Sequence, residues 1–349
     1  MPRLLRRLPI SLVLLGLLAL LLAAIAAAAA YGQVAIPPGR VLAMVLARLG
    51  LGGGGWAPEE EAILFTLRLP RVVGAAIVGA ALATAGALFQ GLLRNPLADP
   101  YVVGTSGGAA LGAVLGMLLG GQASVLGLGI VPAAAFVGAL AAMLVVVQVA
   151  SIGGRLPVVT VLLTGFALST MLGYTVPLLL VLDDRLQLQL PRVYGWMLGG
   201  ISVSGWPQLA LLGALVLGGI LGGIGMARTL NAFSLGEDGA ARLGIDVERD
   251  KRVVLALGSL LTAAAVTLGG LIGFVGLLVP HVLRLLCGPD HRRLLPAAAL
   301  GGAAFMVLAD LAARSVRPPT EIPVGILTAF LGGPFFLWLL RRTKKEYQW

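Results

Sequence analysis

The chain has 349 residues, of which 58% are apolar and 11% charged, with a mean hydropathy of +0.99 and a formal net charge of +10. A soluble domain carries about 25% charged residues, so this sequence has too little polar surface to cover a water-facing globule, and its positive charge belongs to loops that orient membrane helices rather than to a nucleic-acid-binding face. A single cysteine, Cys287, excludes an intramolecular disulfide and a Cys metal cluster, and two histidines, His281 and His291, are too few for a histidine metal site.

The class these numbers predict is all-α integral membrane protein, with residues 1–349 forming one transmembrane domain. The 50 glycines suit it, because small residues make the helix–helix contacts in lipid. At the start, Arg3, Arg6 and Arg7 precede an apolar run from Leu8 to Ala30. That run is longer than the roughly 7–15 residues of a signal-peptide core and is read as a retained first span. Apolar runs between charged and Pro/Gly breaks predict ten spans, at about 8–31, 70–92, 101–120, 124–150, 157–182, 206–229, 251–270, 272–287, 293–313 and 323–341. Only Gly269-Gly270-Leu271-Ile272-Gly273 divides the seventh from the eighth, as a tight turn or a broken helix.

An even number of spans puts both termini on one side. With that side cytoplasmic, 17 of the 25 Lys and Arg fall on inner segments, from Arg3 through Arg94, Arg155, the 228–252 loop, Arg284, Arg292 and Arg293 to Lys345. The bias predicts an N-in, C-in protein of the cell's inner membrane.

Two outer segments are long. Residues 32–69 form an expected periplasmic loop, in which Val41, Leu42, Val45, Leu46 and Leu49 after Pro37-Pro38 share one face of an interfacial helix. Glu59, Glu60 and Glu61 after Pro58 suit a helix N-terminus. Residues 183–205 are external and semi-polar, with Trp196 and Trp206 as interfacial anchors.

Among the inner loops, 231–250 (NAFSLGEDGAARLGIDVERD) is the most informative. Ser234 with Glu237 three residues later has the spacing of a capping box, and Gly244 after Leu243 suits a left-handed stop. The pattern predicts a short helix at about 235–243, too polar to enter lipid and held by packing on something else: a docking knob for a soluble partner, or a plain connecting turn. No GxxxxGK[ST] occurs, so the chain has no P-loop route to nucleotide and any ATP must be bound by another polypeptide.

Arg68, Arg71, Arg314 and Arg317 flank the outer ends of the second and ninth spans. They fit either a grip on an acidic protein partner or snorkelling anchors, with Asp310 four residues before Arg314 as a pairing partner. Asp310 is the one ionisable candidate within the spans, whose other polar groups are neutral, such as Gln90, Thr164, Ser169, Thr170 and Tyr174. Ion-coupled carriers keep intramembrane carboxylates or histidines. Their scarcity argues against a secondary transporter or channel with inverted repeats, which stays as the alternative, and the absence of paired carboxylates or a Ser/His set argues against a membrane enzyme.

The stretch LRLPRVVGAAIVGAALATAGALFQGLLRNPLADPYVVGTSGGAALGA (67–113) resembles the signature region of the FecCD family, the permeases of cobalamin, haem and ferric-siderophore importers. LGEDGAARLGI, GGLIGFVGLLVPHVLR and TEIPVGILTAFLGGPFF follow in the same order, so the resemblance covers nearly the whole chain. It implies a type II ABC importer permease fold: a homodimer of ten-span subunits around a central pathway, seated on two ATP-binding cassette subunits that carry the ATP and Mg. A periplasmic or lipid-anchored substrate-binding protein would cap it. The chain would have no enzymatic site or cofactor of its own, and ferric siderophore is the first expected cargo, with haem and cobalamin next. Carried over by position, Ser234, Glu237, Gly239, Ala240, Leu243 and Gly244 look like the family's coupling helix, and Arg68, Arg71 and Arg314 fall where it meets acidic residues of its binding protein. The 157–182 span resembles a pathway wall, to which Gln90, Thr164, Ser169 and Tyr174 are assigned as lining.

Overall fold

A backbone placed in hydrocarbon must close its hydrogen bonds on itself, and the apolar runs of this sequence do so as helices. The computed structural model describes residues 9–32, 35–120, 124–125, 127–317 and 320–343; Arg3, Arg6, Arg7, Lys344 and Lys345, which enter the charge bias, lie outside them.

From the N-terminal side the chain runs through α1 (Ile10–Ala30), α2 (Pro38–Arg48), α3 (Pro58–Ala62) and α4 (Leu69–Leu92); a π-helical turn (Ile63–Arg68) fuses the last two into one helix, Pro58–Leu92. A 3-10 turn (Pro100–Val103) leads into α5 (Thr105–Leu119), and a small hairpin (β1, Ser124–Val125; β2, Leu128–Gly129) leads to α6 (Ile130–Ala150) and α7 (Val158–Leu182). Next come α8 (Asp184–Gln187), α9 (Leu190–Met197), α10 (Trp206–Gly225), α11 (Ala227–Phe233) and α12 (Glu237–Arg242). The chain closes with α13 (Val247–Gly269), α14 (Val275–Cys287), α15 (His291–Ser315) and α16 (Val324–Thr343). Seven of the described helices are long and apolar enough to cross a membrane, and α5, α14 and α16 are shorter apolar helices; together they fall on the ten runs read from the sequence.

The centre of the bundle is α4, buried along almost its whole length and packed against α10, α13, α14 and α15. Glycine makes these contacts close. A Cβ at Gly79 would overlap the carbonyl oxygen of Gly302 and lie 2.5 Å from Met306 Cβ, and Gly108 meets Gly138 in the same way between α5 and α6. In lipid, where burying oil gains nothing, such backbone approach supplies the packing energy. Toward the periphery, α7 packs on α5 and turns Phe166, Met171, Tyr174 and Leu178 outward.

Three details differ from the sequence expectation or complete it. The loop assigned to 32–69 already contains the first three turns of the long helix from Pro58, for which the three glutamates supply the acidic first turn. In α2, Val41 and Met44 are the buried residues, whereas Leu42 and Leu49 face outward. Between α13 and α14 the helix is broken. Phe274 takes a left-handed conformation (φ 67°), a cost of roughly 1–3 kcal/mol for a bulky residue. The segment is held by Tyr101, whose hydroxyl donates to Ile272 O (3.2 Å) and accepts from Ile272 N–H (3.1 Å).

Gly79→Ala is expected to destabilise the bundle by about 1–3 kcal/mol through overpacking, measured as a lower melting temperature in detergent. Gly53→Ala, where an added Cβ meets nothing, is expected to leave that temperature unchanged.

Candidate functional site

Charged side chains gather at the two ends of the bundle. At one end, Arg68 closes the π-helical turn and Arg71 follows three residues later on the same face. Arg68 Nη1 donates to the carbonyls of Ala29 (2.9 Å) and Ala30 (3.1 Å), which as last-turn carbonyls of α1 have no partner within their helix. Arg71 reaches both Asp310 (Nη2–Oδ1 3.0 Å) and Glu321 (Nη1–Oε2 2.7 Å), while Arg314 Nε lies 3.0 Å from the other Asp310 oxygen. Asp310 is 1% exposed and is thus neutralised by two guanidinium groups from different helices. Three arginines face two carboxylates here, so the cluster keeps positive charge. It lines a cavity of about 510 Å3 with Thr66, Ser202 and Val203.

Arg68 and Arg314 are not snorkelling anchors, for they are 6% and 5% exposed and point into the protein, toward α1 and Asp310, whereas Arg317 is exposed. Of the three clustered arginines, Arg71 is the most exposed, with a quarter of its side chain (25%) accessible.

The opposite end carries Arg94, Arg155, the 231–250 loop, Arg284 and Asp290. The helix expected at 235–243 spans Glu237–Arg242, and its cap is Gly236. Ser234 does not cap it; its hydroxyl donates back to the Asn231 carbonyl of the preceding helix, a local bond that competes with capping. Glu237 is not the other half of a box either, for its carboxylate pairs with Lys251 Nζ at 2.8 Å. Gly244 is the left-handed stop (φ 82°). Ala240 is buried and anchors the helix, Gly239 packs on Leu235, and Leu235 and Leu243 stand exposed on either side.

Beside this loop lies a second cavity of about 510 Å3, lined by Gln90, Arg94, Asn231, Ser234, Arg284, Asp290 and His291 among others. Asn231 organises it. Its amide donates to Asp290 Oδ1 (2.7 Å), so its carbonyl oxygen accepts both the backbone N–H and the Nδ1–H of His291 (2.9 and 2.8 Å). Hydrogen bonds from Arg292 hold the Asp290 carboxyl well below the usual carboxylate range.

The assigned pathway residues separate. Tyr174 lies on the outward stripe of α7 and Thr164 is half-buried near it. Ser169 faces inward instead, its backbone against Gly107 of α5. Gln90 is 3% exposed and braces α4 to α14, donating to Gly276 O (3.2 Å) and accepting from Arg284 Nη2 (2.8 Å). Within one subunit Gln90 and Ser169 thus make packing contacts, and Gln90 also stands on the wall of the cavity beside the 231–250 loop. One cluster escaped the sequence: Lys251 with Glu248 and the Leu156 backbone. The three-residue spacing of Glu248 and Lys251 marks an ion pair on a helix face, but nothing local connects it to residue 156.

The chain matches the model of the FecCD transport family over residues 18–342. It is 48% identical to the cobalamin import system permease protein BtuC of Halobacterium salinarum, covering 81% of this chain and 75% of that protein. It is 41% identical to the hemin transport system permease protein HmuU of Yersinia pestis, over 81% and 84% of the two chains. The protein named probable siderophore transport system permease protein YfhA, of Bacillus subtilis, is 38% identical over 96% and 95%. Among solved structures, an inward-facing metal-chelate type ABC transporter superposes with a TM-score of 0.81 at 29% identity, covering 95% of this chain and 99% of that one.

Asp310→Ala strips the counter-charge from two inward-facing guanidinium groups, and is expected to cost about 3–5 kcal/mol. Glu321→Ala, at a partly exposed partner, is expected to cost about 0–1 kcal/mol. Melting temperatures of the two variants in detergent check the order.

Proposed function

The chain belongs to the FecCD transport family, and we propose that it serves as the permease through which a metal chelate is imported at the expense of ATP bound by a separate subunit. It is an all-α, multi-pass membrane protein and an ABC importer permease, a transport subunit rather than an enzyme. The observation that carries the proposal is the agreement of three relatives whose names give cobalamin, hemin and a siderophore as cargo. Cobalamin and hemin each hold a metal in a multidentate organic ligand, and a siderophore becomes such a complex when it binds iron. Ferric siderophore remains the first expectation, supported by a match along nearly the full chain; the higher identity to a cobalamin permease favours cobalamin as its competitor.

The proposed assembly is a homodimer in the inner membrane, with its basic loops in the cytoplasm as the positive-inside rule requires. Two ATP-binding cassette subunits then sit against the 231–250 loop, where Leu235 and Leu243 offer apolar side chains to a cleft and Ala240 fixes the helix that presents them. A substrate-binding protein docks at the other end. Arg71 is its main electrostatic contact, with Arg68 and Arg314 supplying the field that keeps the cavity positive. The outward face of α7, with Tyr174 and Thr164, is the proposed wall of the passage or the seat of the second copy. ATP drives the alternation only because closing the cassette pair favours one of the two permease states over the other.

Leu243→Asp is expected to abolish ATP-driven uptake while the binding protein still docks, measured by transport into vesicles beside a pull-down. Normal uptake by that variant removes the coupling role from this loop. Arg71→Glu is expected to weaken docking most visibly at low salt, where exposed charges are least screened, and affinity measured at two ionic strengths checks it. For the cargo, the binding protein is co-expressed, isolated loaded from medium and examined by absorbance. A narrow, intense Soret-type band identifies haem, a broad iron charge-transfer band a siderophore, and corrin bands cobalamin; a colourless protein defeats the chelate proposal. Uptake that persists without ATP under a proton gradient establishes the secondary-transporter alternative.

A further inference from the structure

We propose that Lys251 is the joint through which movement of the 231–250 loop reaches α7, and that it sets how much ATP hydrolysis is converted into delivered solute. The inference rests on reading α12 as the helix that meets the ATP-binding subunit.

Lys251 is 3% exposed, although it lies on the second turn of α13 close to the basic end of the bundle. An ammonium has three N–H donors, and three acceptors lie in reach: Glu237 Oε2 of α12 at 2.8 Å, Glu248 Oε1 of α13 at 3.0 Å, and the carbonyl of Leu156 at 3.1 Å. Leu156 belongs to the connector between α6 and α7, and it is held a second time, since its N–H donates to the other Glu248 oxygen at 2.7 Å. Arg252 adds a bond to the carbonyl of Gly154 in the same connector (2.6 Å). Three separate stretches of chain therefore meet on one charged nitrogen.

The charge makes the joint stiff. A buried ammonium that loses an acceptor without gaining water is costly, so a displacement of α12 that would stretch the Glu237 contact drags Lys251 and Leu156 with it. Downstream, Pro157 restricts the backbone of Leu156 and opens α7 one residue later, leaving little slack between the carbonyl that Lys251 holds and the helix. The two helices tied to the joint differ in freedom. α13 is buried against α4 and α6, whereas α7 packs on α5 with a whole stripe facing outward. Displacement at the joint is therefore taken up by α7, the proposed passage wall.

The test uses the full complex of permease, ATP-binding subunits and binding protein in proteoliposomes, with a ferric hydroxamate, haemin and cyanocobalamin offered in turn. Chelate delivered and phosphate released are measured in the same vesicles, and their ratio is the readout. A variant that merely lowers the amount of folded complex lowers both and leaves the ratio alone. Glu237→Ala removes the α12 arm of the joint while Lys251 keeps Glu248 and Leu156, so the fold is retained; the ratio is expected to fall about tenfold. Lys251→Met is expected to do the same, and Lys251→Arg, which keeps the charge and the donors, to restore the ratio toward wild type. A wild-type ratio in Glu237→Ala overturns the inference, as does a proportional fall of both quantities in Lys251→Met. Absence of ATP-dependent uptake of all three chelates by the wild-type complex overturns the functional reading along with it, and the wild-type sample tells that failure from the other two.

Discussion

Hydrocarbon offers no hydrogen bonds to a backbone, no water to a charge and no gain for burying an apolar side chain, and the whole molecule is arranged around these three deficits. The first makes the apolar runs helical. The second drives charged groups to the two ends of the bundle, and where a carboxylate does turn inward, at Asp310, two guanidinium groups close on it. The third explains why α4 and α15 close on each other through glycine: the backbones at Gly79 and Gly302 approach until no Cβ fits.

Much of this was legible in the sequence, because the signals are of the kinds that lipid imposes. Uncharged apolar runs gave the positions of the ten membrane-length and shorter apolar helices among the described residues. The interruption at 269–274 was visible as glycines, although its form depended on Phe274 and on a Tyr101 hydroxyl contributed from 171 residues away. The π-helical turn at Ile63–Arg68 left no mark in composition, and the long helix from Pro58 was consequently divided between a loop and a span.

The candidate site residues were legible by place and not by direction. Gly244 could be read because a left-handed stop is a property of one residue and its neighbours. Ser234 was misread because its hydroxyl has two local partners to choose from, and the Asn231 carbonyl wins. Arg71 finds Asp310 and Glu321 at separations of 239 and 250 residues, and Gln90 finds Gly276 at 186. No window along the chain carries such pairings, so these residues were placed at the correct end or on the correct helix without their orientation.

The distribution of packing constrains how such a permease can move. A core in which α4 meets α14 and α15 through glycine backbones, at Gly86–Gly276 and Gly79–Gly302, has little room to deform gradually, so the alternation of access proposed for this permease would fall to rigid displacement at a looser boundary. One such boundary within the described residues is that around α7, whose outward stripe is exposed, and the connector that opens α7 is bound to the basic end of the bundle by ammonium, guanidinium and carboxylate groups. Placing the charged ties at the watery end and leaving the hydrocarbon stretch of α7 uncharged reconciles two opposed needs. In the proposed coupling the helix is gripped where force enters and meets no charge that would have to be carried through lipid.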